Sequence, residues 1–337
     1  MGGTIMPARF AILGSGAWGT AVAMILAQNP EHHVALWSAR PENTAWHGGR
    51  ENVRLLPGIA IPPSILLTTE IGEAVERADL LIAAIPTVHL RATLHRIAAA
   101  VPKSTPLVSL AKGLENQTFR RPTEIALEVL GPRSVAVLSG PSHAEEVARG
   151  LPTTLVAASE DLPLARSIQQ AFSTERFRVY TNLDLVGVEL AAALKNVIGI
   201  AAGINDGLGF GDNSKSALLT RGLAEMARFG VALGAKADTF WGLAGMGDLI
   251  TTCISKHGRN RRIGERLARG EALSDIQAST PMVAEGVFTA RSVYEKSQRM
   301  GLPMPISTEV YRVLYEQKNP RAAVTDLMLR ELRSEQW

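Results

Sequence analysis

Phe10-Ala-Ile-Leu13 running straight into Gly14-Ser15-Gly16-Ala17-Trp18-Gly19 decides the fold. Four apolar residues that stop at glycine read as a buried strand ending in a tight turn. The glycines follow a G-x-G-x-x-G pattern, and residues 18–28 after them have helical spacing. In such a strand–turn–helix the first glycine permits the turn and the second lets backbone approach a pyrophosphate. The third lets helix and strand pack closely. Backbone N–H groups and the helix dipole then stabilise phosphate charge. The stretch therefore reads as a dinucleotide-binding fingerprint.

The alternation continues outward. Residues 33–37, 80–85, 107–110 and 135–138 are continuous apolar runs, the pattern of parallel strands covered on both faces. Residues 154–158 and 177–180 extend the sheet, and residues 18–28, 74–78, 88–100 and 122–130 suit crossover helices. Near Asn182 strand signals give way to helical ones, over residues 184–205, 214–233, 261–269, 289–300, 306–316 and 322–332, with Asn182 and Asp184 as caps. The chain is expected to be α/β, a parallel-sheet domain over residues 1–182 followed by an all-α domain over residues 183–337.

Composition narrows the function. Disorder is excluded for most of a 337-residue chain that is 46% hydrophobic and 20% charged. The net charge of +3 is far below that of a nucleic-acid binder. A single cysteine, Cys253, excludes an intrachain disulfide framework and fits a reducing cytoplasm. Residues 1–8 lack the pattern of a secretory leader. Residues 185–204 are Ala/Gly-rich and carry Glu189, Lys195 and Asn196, so they read as a buried helix and not as a membrane span. His32, His33, His47, His89, His95, His143 and His257 show no metal-ligand spacing, and no metal is expected.

Four places carry chemistry. Lys195 lies on a helix apolar on most faces, where desolvation lowers an ammonium's pKa and makes it a general acid/base; a snorkelling structural lysine is the alternative. Lys112, in Ala111-Lys112-Gly113, follows a strand whose end faces the ligand crevice of open α/β sheets. Asp248, in Gly245-Met-Gly-Asp248, either caps a helix or orients Lys195. Lys256-His257-Gly258-Arg259-Asn260-Arg261-Arg262 is a basic loop opening a helix, suited to phosphate oxygens. At the end of the second strand, Ser38-Ala39-Arg40 offers no acid for ribose hydroxyls. Ser38 and Arg40 suit a 2′-phosphate, which favours NADP over NAD.

These motifs stand together in one order, with Ser139-Gly-Pro-Ser-His-Ala-Glu-Glu-Val147, Glu189–Asn196, Leu243–Leu249 and Val283-Ala-Glu-Gly286. The chain resembles the bacterial NAD(P)-dependent glycerol-3-phosphate dehydrogenase family. The resemblance implies a Rossmann domain, a helical domain, and reversible reduction of dihydroxyacetone phosphate to sn-glycerol 3-phosphate for glycerophospholipid synthesis. It implies a cytoplasmic homodimer acting on a small molecule, with no nucleic-acid partner and no membrane span. By the same carry-over Lys195 is the proton donor and acceptor. Lys112, Gly140, Ser142, Asp248, Gly258, Arg259 and Asn260 meet the substrate. Ala17, Trp18, Lys112, Ala144, Arg259, Val283 and Glu285 meet NADP or NAD, beside Gly14, Gly16 and Gly19 of the fingerprint and Arg40 of the strand end, read above from the residues themselves. Two positions depart from the family pattern: Gly258 where many relatives have Ser, and Ala39 where relatives have His or Arg. Another reductase of the same plan, or a non-catalytic nucleotide sensor, are the competing readings.

Overall fold

The computed structural model describes residues 8–40, 49–280, 282–332 and 334–335. The residues before 8 and His47 lie outside them, so the readings placed there have no structural account.

Eight strands form one sheet: β1 (Arg9–Leu13), β2 (His33–Trp37), β3 (Ile65–Thr68), β4 (Leu80–Ala83), β5 (Leu107–Ser109), β6 (Val135–Ser139), β7 (Thr153–Ala158) and β8 (Phe177–Asn182), in the order β3-β2-β1-β4-β5-β6-β7-β8. Its helices are α1 (Ala17–Leu26), α2 (Ile71–Val75), α3 (Thr87–Ile97), α4 (Pro122–Leu130), α5 (Ala144–Ala148) and α6 (Leu162–Phe172). Alternation along a strand sends neighbours to opposite faces. In β1, Phe10 and Ile12 join one apolar cluster with Val22 and Leu26 of α1, while Ala11 and Leu13 join another with Leu90 and Leu94 of α3. Both faces are covered, which is why these strands read as unbroken apolar runs.

Pairing is parallel except between β6 and β7, where Val137 faces Ala158 in antiparallel register. The expected parallel sheet holds at every other pairing, and β7 and β8 run against the first six strands; the chain between β6 and β7 has no helix long enough to carry it back across the sheet. It holds only α5 and a turn at Gly150, so the strand reverses direction. Strand β3 and helices α5 and α6 lie outside the elements expected from the sequence.

The second half is helical: α7 (Leu185–Gly207), α8 (Gly211–Ala232), α9 (Ala237–Trp241), a π-helical turn (Leu243–Gly247), α10 (Asp248–Ile254), α11 (Arg259–Ala268), α12 (Leu273–Ala278), α13 (Glu285–Met300), α14 (Pro305–Tyr315) and α15 (Pro320–Met328). Helix α7 is long and apolar enough to cross a membrane, yet it is the buried axis of this half. Asp184 caps it, its Oδ1 accepting from Gly187 N at 2.9 Å, while Oδ2 accepts from Lys236 N and Thr239 Oγ1. Three glycines let α11 lie directly on α7. A Cβ at Gly203 would overlap the Arg261 carbonyl, one at Gly207 would come 2.6 Å from Ala268 Cβ, and one at Gly264 would overlap the Ile200 carbonyl. Glu189, also on α7, is 1% exposed and ties the two halves together. Its carboxylate accepts from Arg121 Nη1 at 2.6 Å, Thr123 N at 2.9 Å and Thr123 Oγ1 at 2.7 Å, at the start of α4.

Candidate active site

Two lysines from the two halves of the chain share one carboxylate. Lys195 Nζ, on α7, donates to Asp248 Oδ1 at 3.1 Å and to Thr252 Oγ1 at 2.6 Å. Lys112 Nζ, from the loop after β5, donates to Asp248 Oδ2 at 2.8 Å, to the Gly140 carbonyl at 2.8 Å and to Ser142 Oγ at 3.3 Å. Asp248 therefore orients an ammonium, the second of its two sequence-based alternatives. It opens α10 directly after the π-helical turn, in which Gly245 leaves no room for a Cβ against the Phe240 carbonyl. Such turns widen a helix locally and recur at functional sites.

Burial sets the electrostatics. Lys195 is 6% exposed and Asp248 2%. Desolvation, reinforced by the positive charges of Lys112 and Arg259 and opposed by Asp248, brings the Lys195 ammonium down to about 8. Burial alone would raise the Asp248 carboxyl, but the two ammoniums outweigh it and hold it below the usual carboxylate range. Two cations against one anion leave the cluster positive, suited to a substrate anion and to a developing alkoxide. His143 is held below the usual histidine range by burial and by both lysines, and its buried Nε2 has no partner among the described residues. Its ring faces that of His257, with centroids 5.8 Å apart. Cys253, buried nearby, has its thiol pushed up to about 12, which makes it inert.

The basic loop joins α10 to α11 and meets α7 at Asn196. Gly258 caps α11 with no side-chain bond, and a Cβ there would come 2.8 Å from the Thr252 carbonyl, so this backbone is fitted to glycine. Arg259 is exposed and uses Nη1 on the Val283 carbonyl at 3.0 Å, leaving most of its fork open. Asn260 is buried: its Nδ2 donates to Asn196 Oδ1 at 2.8 Å, and its Oδ1 accepts from Gly286 N at 3.1 Å. Asn196 Nδ2 in turn donates to the Lys112 carbonyl at 2.7 Å. A chain of amides thus fixes the Lys112 loop, α7, α11 and α13 to one another. Glu285 accepts from Thr87 N and from Thr87 Oγ1, and burial raises its carboxyl above the usual range despite that amide.

The glycine turn sits where the strand order reverses between β1 and β4, the ligand crevice of such sheets. Gly14 has φ +118°, and a Cβ there would come 2.6 Å from the Ala84 carbonyl; a Cβ at Gly19 would overlap the Gly14 carbonyl. At Gly16 nothing lies within 4 Å of a Cβ, so the turn is open just where a pyrophosphate would approach. The Trp18 Nε1 beside Ala17 is buried without a partner among the described residues. Asn52 props the turn, its Nδ2 donating to the Ser15 carbonyl and to Thr20 Oγ1, each at 3.0 Å. These features fit a dinucleotide. Ser38 is different from expectation: its hydroxyl bonds Arg40's own carbonyl and amide, so it shapes the turn and is not presented to a ligand.

The structure thus gathers Lys112, Gly140, Ser142, Lys195 and Asp248 in one hydrogen-bonded cluster, with Ala144 at the start of α5 behind it. Gly258, Arg259, Asn260, Val283 and Glu285 line its α11–α13 side, and Arg40 stands apart at the end of β2. Sequence reasoning missed Thr252, Asn196 as a bridge, Asn52 and the orphaned His143. Position on α7 one residue past Lys195 was the signal for Asn196. A cleft of about 220 Å³ opens beside Glu285, Thr87 and Gly113, while a larger cavity of about 340 Å³ between α14 and α15 holds none of these groups. Among the described residues no group of three or more His, Cys, Asp or Glu could hold a metal ion.

Comparisons with known proteins agree in family. Residues 9–165 match the N-terminal model and residues 184–325 the C-terminal model of NAD-dependent glycerol-3-phosphate dehydrogenase. A glycerol-3-phosphate dehydrogenase [NAD(P)+] of Pelodictyon phaeoclathratiforme is 47% identical over 331 residues, 97% of this chain and 99% of that one. That of Geobacillus thermodenitrificans is 47% identical over 96% of this chain and 95% of its own. The crystal structure of glycerol-3-phosphate dehydrogenase from Coxiella burnetii superposes with a TM-score of 0.92 at 35% identity, covering 96% of this chain and 99% of that chain.

Proposed function

The chain belongs to the NAD-dependent glycerol-3-phosphate dehydrogenase family and is an NAD(P)-dependent oxidoreductase; on that premise we propose how its residues interconvert dihydroxyacetone phosphate and sn-glycerol 3-phosphate. The observation that carries the reading is the pair of lysines held on Asp248 between the glycine turn and the Arg259 loop.

A nicotinamide dinucleotide, when bound, supplies or accepts the hydride; Gly14, Gly16, Ala17, Trp18 and Gly19 would hold its pyrophosphate, Ala144 would touch the nucleotide, and Val283 and Glu285 would line its nicotinamide end. Arg259 and Asn260, at the N-terminus of α11, anchor the substrate phosphate. Lys112, held by Gly140 and Ser142, faces the substrate from the sheet side and excludes alternative poses. Fixing the phosphate fixes the carbonyl carbon, and orientation of this kind lowers a barrier by several kcal/mol in favourable cases, about 7–11 at most. Lys195 stabilises the forming alkoxide and gives it the proton; in the reverse direction the neutral amine takes it. A pKa of about 8 lets the same amine serve both directions near neutral pH. Asp248 keeps Lys195 and Lys112 in place.

The division at residue 182 belongs to the same reading, supported by the end of β8 at Asn182 and the start of α7 at Leu185. So do a cytoplasmic location, a role in glycerophospholipid synthesis and a homodimer. Exposed Trp241, Met246, Ile250 and Ile254 give the helical half an apolar face for the dimer contact. The test is oxidation of NADPH and NADH with and without dihydroxyacetone phosphate, by wild type and Lys195→Met. Substrate-dependent oxidation lost by at least about a thousandfold in the variant is expected. A variant with near wild-type turnover would remove Lys195 from the mechanism.

A further inference from the structure

The end of β2 carries a cation that the sequence does not announce. Arg96, from the last turn of α3, reaches across the sheet to residues 37–39. Its guanidinium lies 5.7 Å over the Trp37 ring, and its Nη2 donates to the Ala39 carbonyl at 3.3 Å. The indole platform is itself fixed, because Trp37 Nε1 donates to the Thr69 carbonyl at 2.8 Å. A stacked guanidinium keeps its edge free, and with five donors and one long bond spent, Arg96 retains most of its hydrogen-bonding capacity.

Residue 39 occupies the strand end where an acid binds ribose hydroxyls in NAD-selective sheets. Here it is alanine, whose side chain is only a methyl group, and two arginines flank it. Arg40 comes from the turn that Ser38 closes, and Arg96 from α3. Both are exposed. The described acid on the adjoining strand end, Glu70, begins α2, with its amide donating to Thr68 Oγ1.

We propose that Arg96 is a specificity-determining residue which, with Arg40, grips the 2′-phosphate of a phosphorylated adenosine, so that α3 and the β2 turn together select NADP over NAD. The inference rests on the dinucleotide reading of the glycine turn given above. A phosphate dianion between two forks forms charge-assisted, bidentate contacts that a ribose hydroxyl cannot replace. The approach to Ala39 places this second cation on a different element from the first, so the two contributions separate by mutation.

The test is equilibrium titration of the full chain with adenosine 2′,5′-bisphosphate, 5′-AMP, NADP+ and NAD+, for wild type, Arg96→Gln and Arg40→Gln, with thermal unfolding as the folding control. Arg96→Gln should weaken adenosine 2′,5′-bisphosphate and NADP+ by about tenfold or more and leave 5′-AMP and NAD+ within about twofold. Arg96→Lys should recover part of the loss, as a point charge without the fork. Equal losses for all four probes would mark Arg96 as structural and overturn the proposal. So would unchanged affinity for the bisphosphate. A wild type that binds 5′-AMP and NAD+ as tightly as their phosphorylated counterparts overturns it while the dinucleotide reading stands. A wild type that binds none of the four removes that reading, and the proposal with it.

Discussion

Asp248→Asn should move the pH dependence of catalysis towards acid. In the native chain the carboxylate raises the proton affinity of Lys195 by its charge and by a 3.1 Å hydrogen bond, against burial, and the result is about 8. A charge-assisted hydrogen bond contributes about 1.5–3 kcal/mol, and each pKa unit is 1.36 kcal/mol, so its loss lowers Lys195 by about one to two units. Lys112 loses the same partner, and its charge, which lowers Lys195 already, then acts without the shared carboxylate between them. Taking a fall to about 6.5, the protonated share at about pH 7.5 drops from about three quarters to about a tenth. Carbonyl reduction, which needs the ammonium, should fall by nearly that ratio at this pH and recover as the pH is lowered. Alcohol oxidation, which needs the free amine, should begin at lower pH than in wild type. Initial rates of NADPH oxidation and NADP+ reduction at saturating substrate, across about pH 5.5–9.5, read both limbs. If the variant scales the rate uniformly and leaves the inflection of each limb where it was, Asp248 does not set the proton affinity of Lys195 and the argument from burial is wrong.

Arg259→Ala should raise KM for dihydroxyacetone phosphate by about ten- to a hundredfold and affect phosphate-free dihydroxyacetone far less; equal effects on both would contradict phosphate anchoring. Gly203→Ala forces a methyl group into the Arg261 carbonyl and should destabilise the chain by about 1–3 kcal/mol in chemical denaturation, whereas an unchanged midpoint would show that α7 and α11 can part freely. Glu189→Ala strips a buried ion pair of one partner and should cost about 3–5 kcal/mol by the same measurement; a loss within error would mean that Arg121 finds another acceptor. Burial, with the charges of Lys195 and Lys112, lowers the proton affinity of His143 in the folded chain, so around and below the ordinary histidine value of about 6.5 the unfolded chain binds more protons and stability falls as the pH falls. His143→Phe should flatten that part of the stability–pH curve between about pH 7 and 5, and an identical slope in both proteins would refute it.

The sheet was legible where both faces of a strand are buried, because β1, β2, β4, β5 and β6 are then apolar throughout except at a terminal Arg9, His33, Ser109 or Ser139. Strand β3 was not, since Ile65-Leu-Leu-Thr68 is an edge strand with Leu66 exposed and follows Pro62-Pro63, which read as loop. Helix α6 left a usable signal in Leu164, Ala165, Ile168 and Phe172 behind the cap Asp161. Helix α10 was hidden by Gly245 and Gly247, glycines that serve a π-helical turn and not a flexible loop. At the site, Lys195 was found because a lysine on so apolar a helix needs an explanation. Its acceptor Thr252 and the Asn196–Asn260 bridge carry no such anomaly: their partners are 57 and 64 residues away in sequence and meet only once α10 and α11 pack on α7.

The glycine-lined seam between α7 and α11 has a further consequence. At these three glycines one helix lies against the other with no side chain to spare, and buried side chains such as Ile200 and Ile263 fill the rest, so the two helices cannot slide or breathe by the width of a methyl group without losing contact. The amine rides on one and the anion-holding residues on the other, so the span between them is a fixed gauge. On the proposed assignment an acceptor is admitted by the number of bonds separating its oxo group from its negative end. A homologue one carbon longer, however similar in polarity, would have to surrender one end to seat the other.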